Sequence, residues 1–261
     1  MTAPYDRIAE FYDEDMGRSA PPGDVEFYVQ QARDGGGRVL ELGAGTGRIA
    51  LPIAQSGEQI VAADRSRPML RILQRKASAL PAATRARLRT VAMDLCRPAL
   101  HGPFATVLCP YSVLTYVLDD DDLLALLTWI RGVLIPQGRF VCDLFVQHED
   151  VLSEPDTKVI QDYERRCADG TVLRRSKTIA KDFTRQRNTI ERRYHHSNAA
   201  GELLAEFSTV ETIRYFSQPQ MMALLRAAGL HVEQTYGNFG GGAYSDAART
   251  MVFIATPRSG V

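Results

Sequence analysis

Cysteine is scarce in this chain: four residues in 261, at positions 96, 109, 142 and 167, with no CxxC pair among them. That spacing gives neither a zinc-knuckle ligand set nor a disulfide framework. Cys109 and Cys142 sit inside apolar runs, where reduced and buried thiols are expected. Net charge is also lacking, since Lys plus Arg equal Asp plus Glu at 31 each. A neutral chain has no general attraction for a polyanion, so nucleic acid is not an expected partner. No window reaches the ~18 consecutive apolar residues that argue for a membrane span. The opening residues, Met1 to Asp6, lack the basic and apolar regions of a signal peptide, so a cytoplasmic protein without membrane association is expected. Internal repeats and low-complexity stretches are missing too. What is present, 45% hydrophobic and 24% charged residues, is the usage of an ordinary globular protein. The length accommodates one large α/β domain, or a smaller one with an insertion.

Hydrophobic periodicity predicts helices over 5–13 and 24–33, the second stopped by Gly35-Gly36-Gly37. Residues 38–42 read as a short buried strand that breaks into glycines and re-forms as a helix over 48–56. An alternating series follows: strand 59–63, helix 68–79, strands 88–92 and 104–109, helix 121–134, strand 139–145. Strands rich in Val, Ile and Leu that alternate with helices predict a doubly wound α/β fold, with a mostly parallel sheet covered on both faces. Between about 156 and 216 the texture changes to strand-like runs at 172–180, 189–196 and 203–215, separated by turn signals at Asp169-Gly170, Thr184-Arg185 and 198–201. This is an inserted antiparallel β sheet. Helix 218–228 and strands 231–236 and 249–256 then close the main sheet. The domain plan is therefore an N-terminal helical segment over 1–37, a core over 38–155 and 217–261, and the insertion over 156–216.

The first strand ends in Glu41-Leu42-Gly43-Ala44-Gly45-Thr46-Gly47. Glycines at a strand-to-helix turn let a ligand approach the backbone closely, because Gly has no Cβ and tolerates positive φ. Dinucleotide enzymes space them G-x-G-x-x-G, whereas here Arg48 stands where the third glycine would be. The second strand ends in Asp64, where a carboxylate suits both hydroxyls of a ribose. A turn or helix-capping role is the structural alternative for Asp64. The G-x-G-x-G loop behind Glu41, with Asp64 and Asp94 at the next two strand ends, resembles the class I S-adenosylmethionine-dependent methyltransferases. The resemblance covers nearly the whole chain except the insertion. It implies a seven-stranded Rossmann-like sheet and S-adenosylmethionine as methyl donor, held by Glu41, Gly43, Gly45 and Asp64. By the same resemblance Arg65 and Met69 flank the adenine, Asp94 accepts its amino proton and the Leu95 amide meets its ring. Strand four, ending in Cys109-Pro110-Tyr111, stops beside the reacting methyl. Gln137 stands where family members often carry a glycine. The motif Tyr5-Asp6-x-x-Ala9-x-x-Tyr12-Asp13 looks like the N-terminal helix of small-molecule methyltransferases, where such tyrosines form a lid over the cofactor; ordinary helix packing is the other reading.

A methyl on a sulfonium is already electrophilic, so the protein must chiefly orient a nucleophile, which alone is worth roughly 7–11 kcal/mol. An unprotonated amine needs nothing more, whereas an alcohol needs a base or metal and a carbon acid an enolising group. Asp119 to Asp122 begin a helix and are expected as a dipole-favoured cap, not a metal site. His195 and His196, adjacent on a strand, point to opposite faces. No metal is expected. Tyr12, Tyr111 and His148 are the candidate catalytic residues, with Tyr116 also close to strand four. Cys109-Pro110-Tyr111-Ser112 lacks the strand-four motif of the nucleic-acid amino methyltransferases, which favours a small-molecule acceptor. The N-terminal segment, doubly wound core and insertion together resemble N-methyltransferases acting on glycine, amino sugars or antibiotic intermediates. The expectation is methyl transfer to an amine of a small metabolite in secondary metabolism. The insertion, with Arg192, Arg193 and Tyr194, either walls the acceptor site or makes a homo-oligomer contact. O- or C-methylation of an aromatic or keto acid, or a non-catalytic S-adenosylmethionine-binding regulator, are the alternatives; Arg48 disfavours a nicotinamide dehydrogenase.

Overall fold

The computed structural model describes residues 4–15, 19–148, 153, 155–156 and 158–258. The main sheet has seven strands: β1 (Val39–Leu42), β2 (Ile60–Asp64), β3 (Leu88–Ala92), β4 (Phe104–Cys109), β5 (Leu134–Phe145), β10 (Leu230–Tyr236) and β11 (Thr250–Pro257). Their spatial order is β10-β11-β5-β4-β1-β2-β3. The first five are mutually parallel, and β11 runs antiparallel to both β5 and β10. The mostly parallel, doubly wound sheet read from the sequence is the one observed. Chain order reverses between β1 and β4, and in such sheets ligands bind in the crevice beyond the carboxyl ends of the strands at that reversal.

Burial explains the apolar runs. Every residue of β1 and β4 is buried, as parallel strands covered on both faces must be. Alternate residues go to opposite cores. Val39, Ile60, Leu108 and Val141 pack with α2 (Asp24–Gly35) and α3 (Ala50–Gln55); Leu40, Val61, Val107 and Phe140 pack with α6 (Asp120–Val133) and α7 (Gln218–Ala227). Helix α4 (Arg67–Ser78) is opened by Ser66, whose Oγ accepts the Met69 amide at 3.3 Å, and α7 by a Ser217/Gln220 capping box, both satisfying otherwise orphaned first-turn amides.

A second sheet holds β6 (Ile160–Arg166), β7 (Val172–Asp182), β8 (Arg187–Ser197) and β9 (Leu203–Arg214), an antiparallel meander in that order. One face carries the buried Leu173, Arg175, Ile190, Tyr194, Thr209 and Glu211, while Arg174, Arg193, His195 and Glu206 are exposed on the other. His195 and His196 indeed diverge: His195 lies 3.9 Å from Glu206, and His196 Nε2 lies 2.8 Å from the Thr171 hydroxyl. Among the described residues no group of three or more His, Cys, Asp or Glu is placed to hold a metal ion, and no helix is long and apolar enough to cross a membrane.

Three local expectations need correction. Residues 5–13 are not one helix: 3-10 turns at Pro4–Asp6 and Ala9–Phe11 precede a single helical turn, α1 (Tyr12–Asp15). So short a segment cannot sustain a helix alone, and its conformation follows its contacts with the rest of the chain. Strand β5 begins at Leu134, not 139. Its pairing with β4 jumps from Phe104↔Leu134 to Thr106↔Arg139, so residues 135–138, between the expected helix and strand, are an irregularity inside the strand. Strand β6 was not expected at all, because Asp162, Glu164, Arg165 and Arg166 dilute its alternation at a sheet edge.

Candidate cofactor and acceptor site

The glycine loop leaves β1 with all three glycines at positive φ: 73° at Gly43, 53° at Gly45 and 89° at Gly47. The three differ in what a side chain would meet. A Cβ at Gly43 would lie 2.5 Å from Val113 and one at Gly47 2.8 Å from Leu73 of α4, so these two glycines permit close packing. A Cβ at Gly45 would meet only Tyr12 Cε1, at 3.9 Å. That position opens on space instead.

Behind the loop, Glu41 is 2% exposed, and its Oε2 has no hydrogen-bond partner. Burial pushes its carboxyl up to about 8, against the opposing pull of Arg48. A buried acceptor left empty costs free energy unless a ligand completes it. Asp64, at the end of β2, accepts the Gly45 amide on Oδ2 at 2.8 Å and the Ser66 amide on Oδ1 at 2.7 Å. It therefore fixes the loop and the start of α4 while each oxygen keeps a further lone pair. Burial raises its carboxyl, and the two amides partly offset this. Arg65 is exposed beside it. Met69 is buried against Tyr5, Tyr12, Ala9 and Ile72. Asp94 is exposed beyond β3 and accepts the Cys96 amide at 3.0 Å, while Leu95 is half-buried against the larger core.

Pro110 is buried at the end of β4, and the chain then turns through two non-glycine residues at positive φ, Tyr111 at 59° and Ser112 at 58°. Such a pair persists only where surrounding contacts hold it, and strain of this kind gathers at functional sites. The holding group is Asp143 on β5. It accepts the Tyr111 amide at 2.7 Å, the Ser112 amide at 3.1 Å and the Tyr28 hydroxyl at 2.6 Å. It is 3% exposed, and burial pushes its carboxyl up to about 6 despite these donors. Arg48 packs over the Tyr111 ring, 5.4 Å from its centroid, and is anchored by an ion pair with Asp24 at 2.6 Å.

The N-terminal segment bridges the loop and the second sheet. Asp6 accepts from the Ser66 hydroxyl at 2.6 Å, Asp13 accepts from Thr46 at 2.6 Å and pairs with Lys76 at 2.5 Å, and Glu10 pairs with Arg75 at 2.9 Å. At its other end the fully buried Asp15 takes Arg175 and the Tyr163 hydroxyl, with the Tyr194 hydroxyl at 2.9 Å. Tyr5 and Tyr12 meet edge to face with centroids 5.7 Å apart. Tyr5 also bonds the Tyr116 hydroxyl, which donates to Glu211 at 2.8 Å.

Tyr5, Tyr12, Met69 and the glycine loop are thus brought together, and Tyr12 lies within electrostatic reach of Tyr111, Arg48 and Asp64. Burial raises the Tyr5, Tyr12 and Tyr111 hydroxyls above their ordinary range; like any tyrosine near neutrality, all three are phenols. His148 is elsewhere. It lines a cleft of about 830 Å³ with Gln147, Gln186, Tyr215, Tyr244 and Arg249, one that includes neither Tyr12 nor Tyr111, and its Nε2 lies 3.1 Å from the Ala248 carbonyl. Sequence reasoning missed Asp143, Glu211, Asp15 and the Arg48–Asp24 pair. A lone Asp in the apolar run Val141-Cys142-Asp143-Leu144 was the available signal for the first.

Residues 39–138 match the family model of the methyltransferase domain. The cypemycin N-terminal methyltransferase of a Streptomyces species is 27% identical over 256 residues, 96% of each chain. Among solved structures, the CcbJ methyltransferase of Streptomyces caelestis superposes with a TM-score of 0.80 over 99% of both chains at 22% identity. CalS10, an amino pentose methyltransferase from Micromonospora echinaspora involved in calicheamicin biosynthesis, superposes at 0.68 and 21% identity, over 92% of this chain and 93% of that one. With the matched domain, the strand order and the glycine loop in agreement, the chain carries a methyltransferase domain over residues 39–138 and is an S-adenosylmethionine-dependent methyltransferase.

Proposed function

We propose that the acceptor is an amine nitrogen, of a small metabolite or a peptide terminus, in the making of a secondary metabolite. S-adenosylmethionine supplies the activated methyl, and the protein's task is to orient and desolvate. The observation that carries the reading is geometric: the hydroxyls gathered beside the glycine loop belong to Tyr5 and Tyr12, which near neutrality are phenols as any tyrosine is. Such groups can hydrogen-bond a neutral amine but cannot strip a proton from an alcohol or carbon acid. Cypemycin N-terminal methyltransferase and the amino pentose methyltransferase CalS10 act, by their names, on a terminus and on an amino sugar. A panel of amino sugars, peptides with free N-termini, phenols and 2-oxo acids, incubated with S-adenosylmethionine and read by product mass, tests this. Methylation confined to phenols or keto acids contradicts it.

In this reading Asp64 takes the ribose hydroxyls and the vacant Glu41 Oε2 takes the cofactor's ammonium. Gly43, packed on Val113, sets the loop and Gly45 lets the cofactor's chain pass, while Met69, Arg65, Asp94 and Leu95 surround the adenine. Pro110 and Tyr111 border the methyl. Tyr5 and Tyr12, carried by the N-terminal segment, form the lid; the ties of Asp6, Asp13 and Glu10 to the cofactor loops support that role. The insertion walls the acceptor side, and a subunit contact through its exposed face is the companion proposal for that sheet.

Two expected results follow from the cradle. Gly45→Ala should leave the fold within about 1–2 kcal/mol of wild type, the cost of a non-glycine residue in the left-handed region. It should nevertheless weaken S-adenosylhomocysteine binding by about tenfold or more, because its methyl enters the open space. Gly47→Ala should do the reverse, lowering the unfolding temperature through its clash with Leu73; calorimetry and thermal melts separate the two. Glu41 gives a pH dependence. Its carboxyl titrates at about 8 in the free protein, so at pH 6–7.5 it is largely protonated and must lose that proton to face an ammonium. Affinity should therefore rise with pH across that window, by at most about tenfold per unit. Glu41→Gln should flatten the titration, and an unchanged slope in that variant contradicts the assignment.

A further inference from the structure

Tyr5, Tyr116 and Glu211 form a hydrogen-bonded chain that joins three separate elements: the N-terminal segment, the 3-10 turn Val113–Tyr116 after β4, and strand β9. Its direction can be read from the donors available. A tyrosine hydroxyl has one proton and an ionised carboxylate has none. Tyr116 donates its proton to Glu211 Oε2 at 2.8 Å, so in the Tyr5–Tyr116 bond the proton must come from Tyr5. Glu211 is 5% exposed, and its other oxygen accepts from Arg192 on the adjoining strand β8, which keeps the buried charge paired. With its proton committed to Tyr116, the Tyr5 oxygen can only accept on its remaining side. That oxygen belongs to a ring packed on Met69 and, edge to face, on Tyr12, whose Cε1 in turn lies 3.9 Å from where a Cβ on Gly45 would stand.

We propose that Glu211 is a positioning residue that fixes the polarity of this chain, so that Tyr5 offers a lone pair, and not a proton, to an N–H of the methyl acceptor. The inference rests on the amine reading above and narrows it. An acceptor held this way must retain an N–H while its own lone pair faces the methyl, so primary and secondary amines fit. A tertiary amine does not, and methylation stops before the quaternary ammonium.

The test needs no knowledge of the natural acceptor. Sinefungin carries an amine where S-adenosylmethionine carries its sulfonium methyl, whereas S-adenosylhomocysteine carries nothing there; the ratio of their affinities reports on what faces that position. In Glu211→Gln the Arg192 guanidinium keeps the amide oxygen on its own side, which turns the amide NH2 toward Tyr116. The chain then runs backwards, and Tyr5 donates outward. Calorimetric titration should show the preference for sinefungin over S-adenosylhomocysteine falling about tenfold, with S-adenosylhomocysteine affinity unchanged to within about twofold. Tyr116→Phe, which cuts the chain without disturbing a buried charge, should lower the preference by less, and Glu211→Asp, which keeps an acceptor, should retain most of it. A wild-type preference in both Glu211→Gln and Tyr116→Phe overturns the proposal, as does an equal loss of both ligands, which marks a purely structural role. Should Glu211→Gln fail to fold, an unchanged preference in Tyr116→Phe alone overturns it. Wild-type protein that binds neither ligand overturns the methyltransferase reading itself, and this inference with it.

Discussion

Asp64→Ala is expected to bind S-adenosylhomocysteine at least about a hundredfold more weakly than wild type. Two effects combine. The carboxylate is proposed to accept both ribose hydroxyls, and hydrogen bonds to a charged group are each worth about 1.5–3 kcal/mol. It also accepts the Gly45 and Ser66 amides at 2.8 and 2.7 Å, so its removal releases the loop and the start of α4 that frame the proposed cofactor site. Asp64→Asn separates the two contributions, because the amide still has one oxygen for a backbone donor but offers the ribose half the acceptors. It should fall between wild type and Asp64→Ala. A folded Asp64→Ala protein of undiminished affinity contradicts the ribose assignment and leaves Asp64 as a turn-holding residue.

Asp143→Ala is expected to lower the unfolding temperature by roughly 10 °C and to abolish transfer. The carboxylate serves three donors in a site closed to water. Deleting it leaves the Tyr28 hydroxyl and two backbone amides unsatisfied, a loss of the order of 3–5 kcal/mol. In a protein of this size each kcal/mol moves the midpoint by about 2–4 °C. The functional loss is of a different kind. Tyr111 and Ser112 hold positive φ while Asp143 pins their amides, and without it the strained turn relaxes and carries the Tyr111 ring away from Arg48. Thermal melts and turnover measured on the same preparation check both parts. A melt within about 2 °C of wild type contradicts the role given to Asp143.

The glycine-loop half of the candidate site was legible because its signals are local. Gly43, Gly45 and Gly47 announce a loop that must adopt positive φ, and Asp64 stands where a strand gives way to a helix, so a window of about 25 residues contains the whole argument. The rest of the candidate site depends on pairs far apart in the chain. Asp143 is one acid in an apolar strand until β5 is laid beside β4 and the Tyr111–Ser112 turn comes within reach. Glu211 sits on a strand rich in polar residues, and only the fold joins it to Tyr116, 95 residues away. The N-terminal segment misled for a related reason. Tyr5, Ala9 and Tyr12 satisfy a helical period, but Asp6, Asp13 and Asp15 are each bound to different parts of the molecule, and those contacts set the local backbone. His148 follows β5 as the resemblance implied, yet it faces another cleft.

The measurement that bears most directly on the account is a crystal structure of the protein with S-adenosylhomocysteine bound. The account predicts the ribose on Asp64, the amino group on Glu41 Oε2, the chain of the ligand over Gly45, and its sulfur facing the space bounded by Tyr5, Tyr12 and Tyr111. A ligand lodged in the His148 cleft, or one at the glycine loop that touches neither Asp64 nor Glu41, would contradict it.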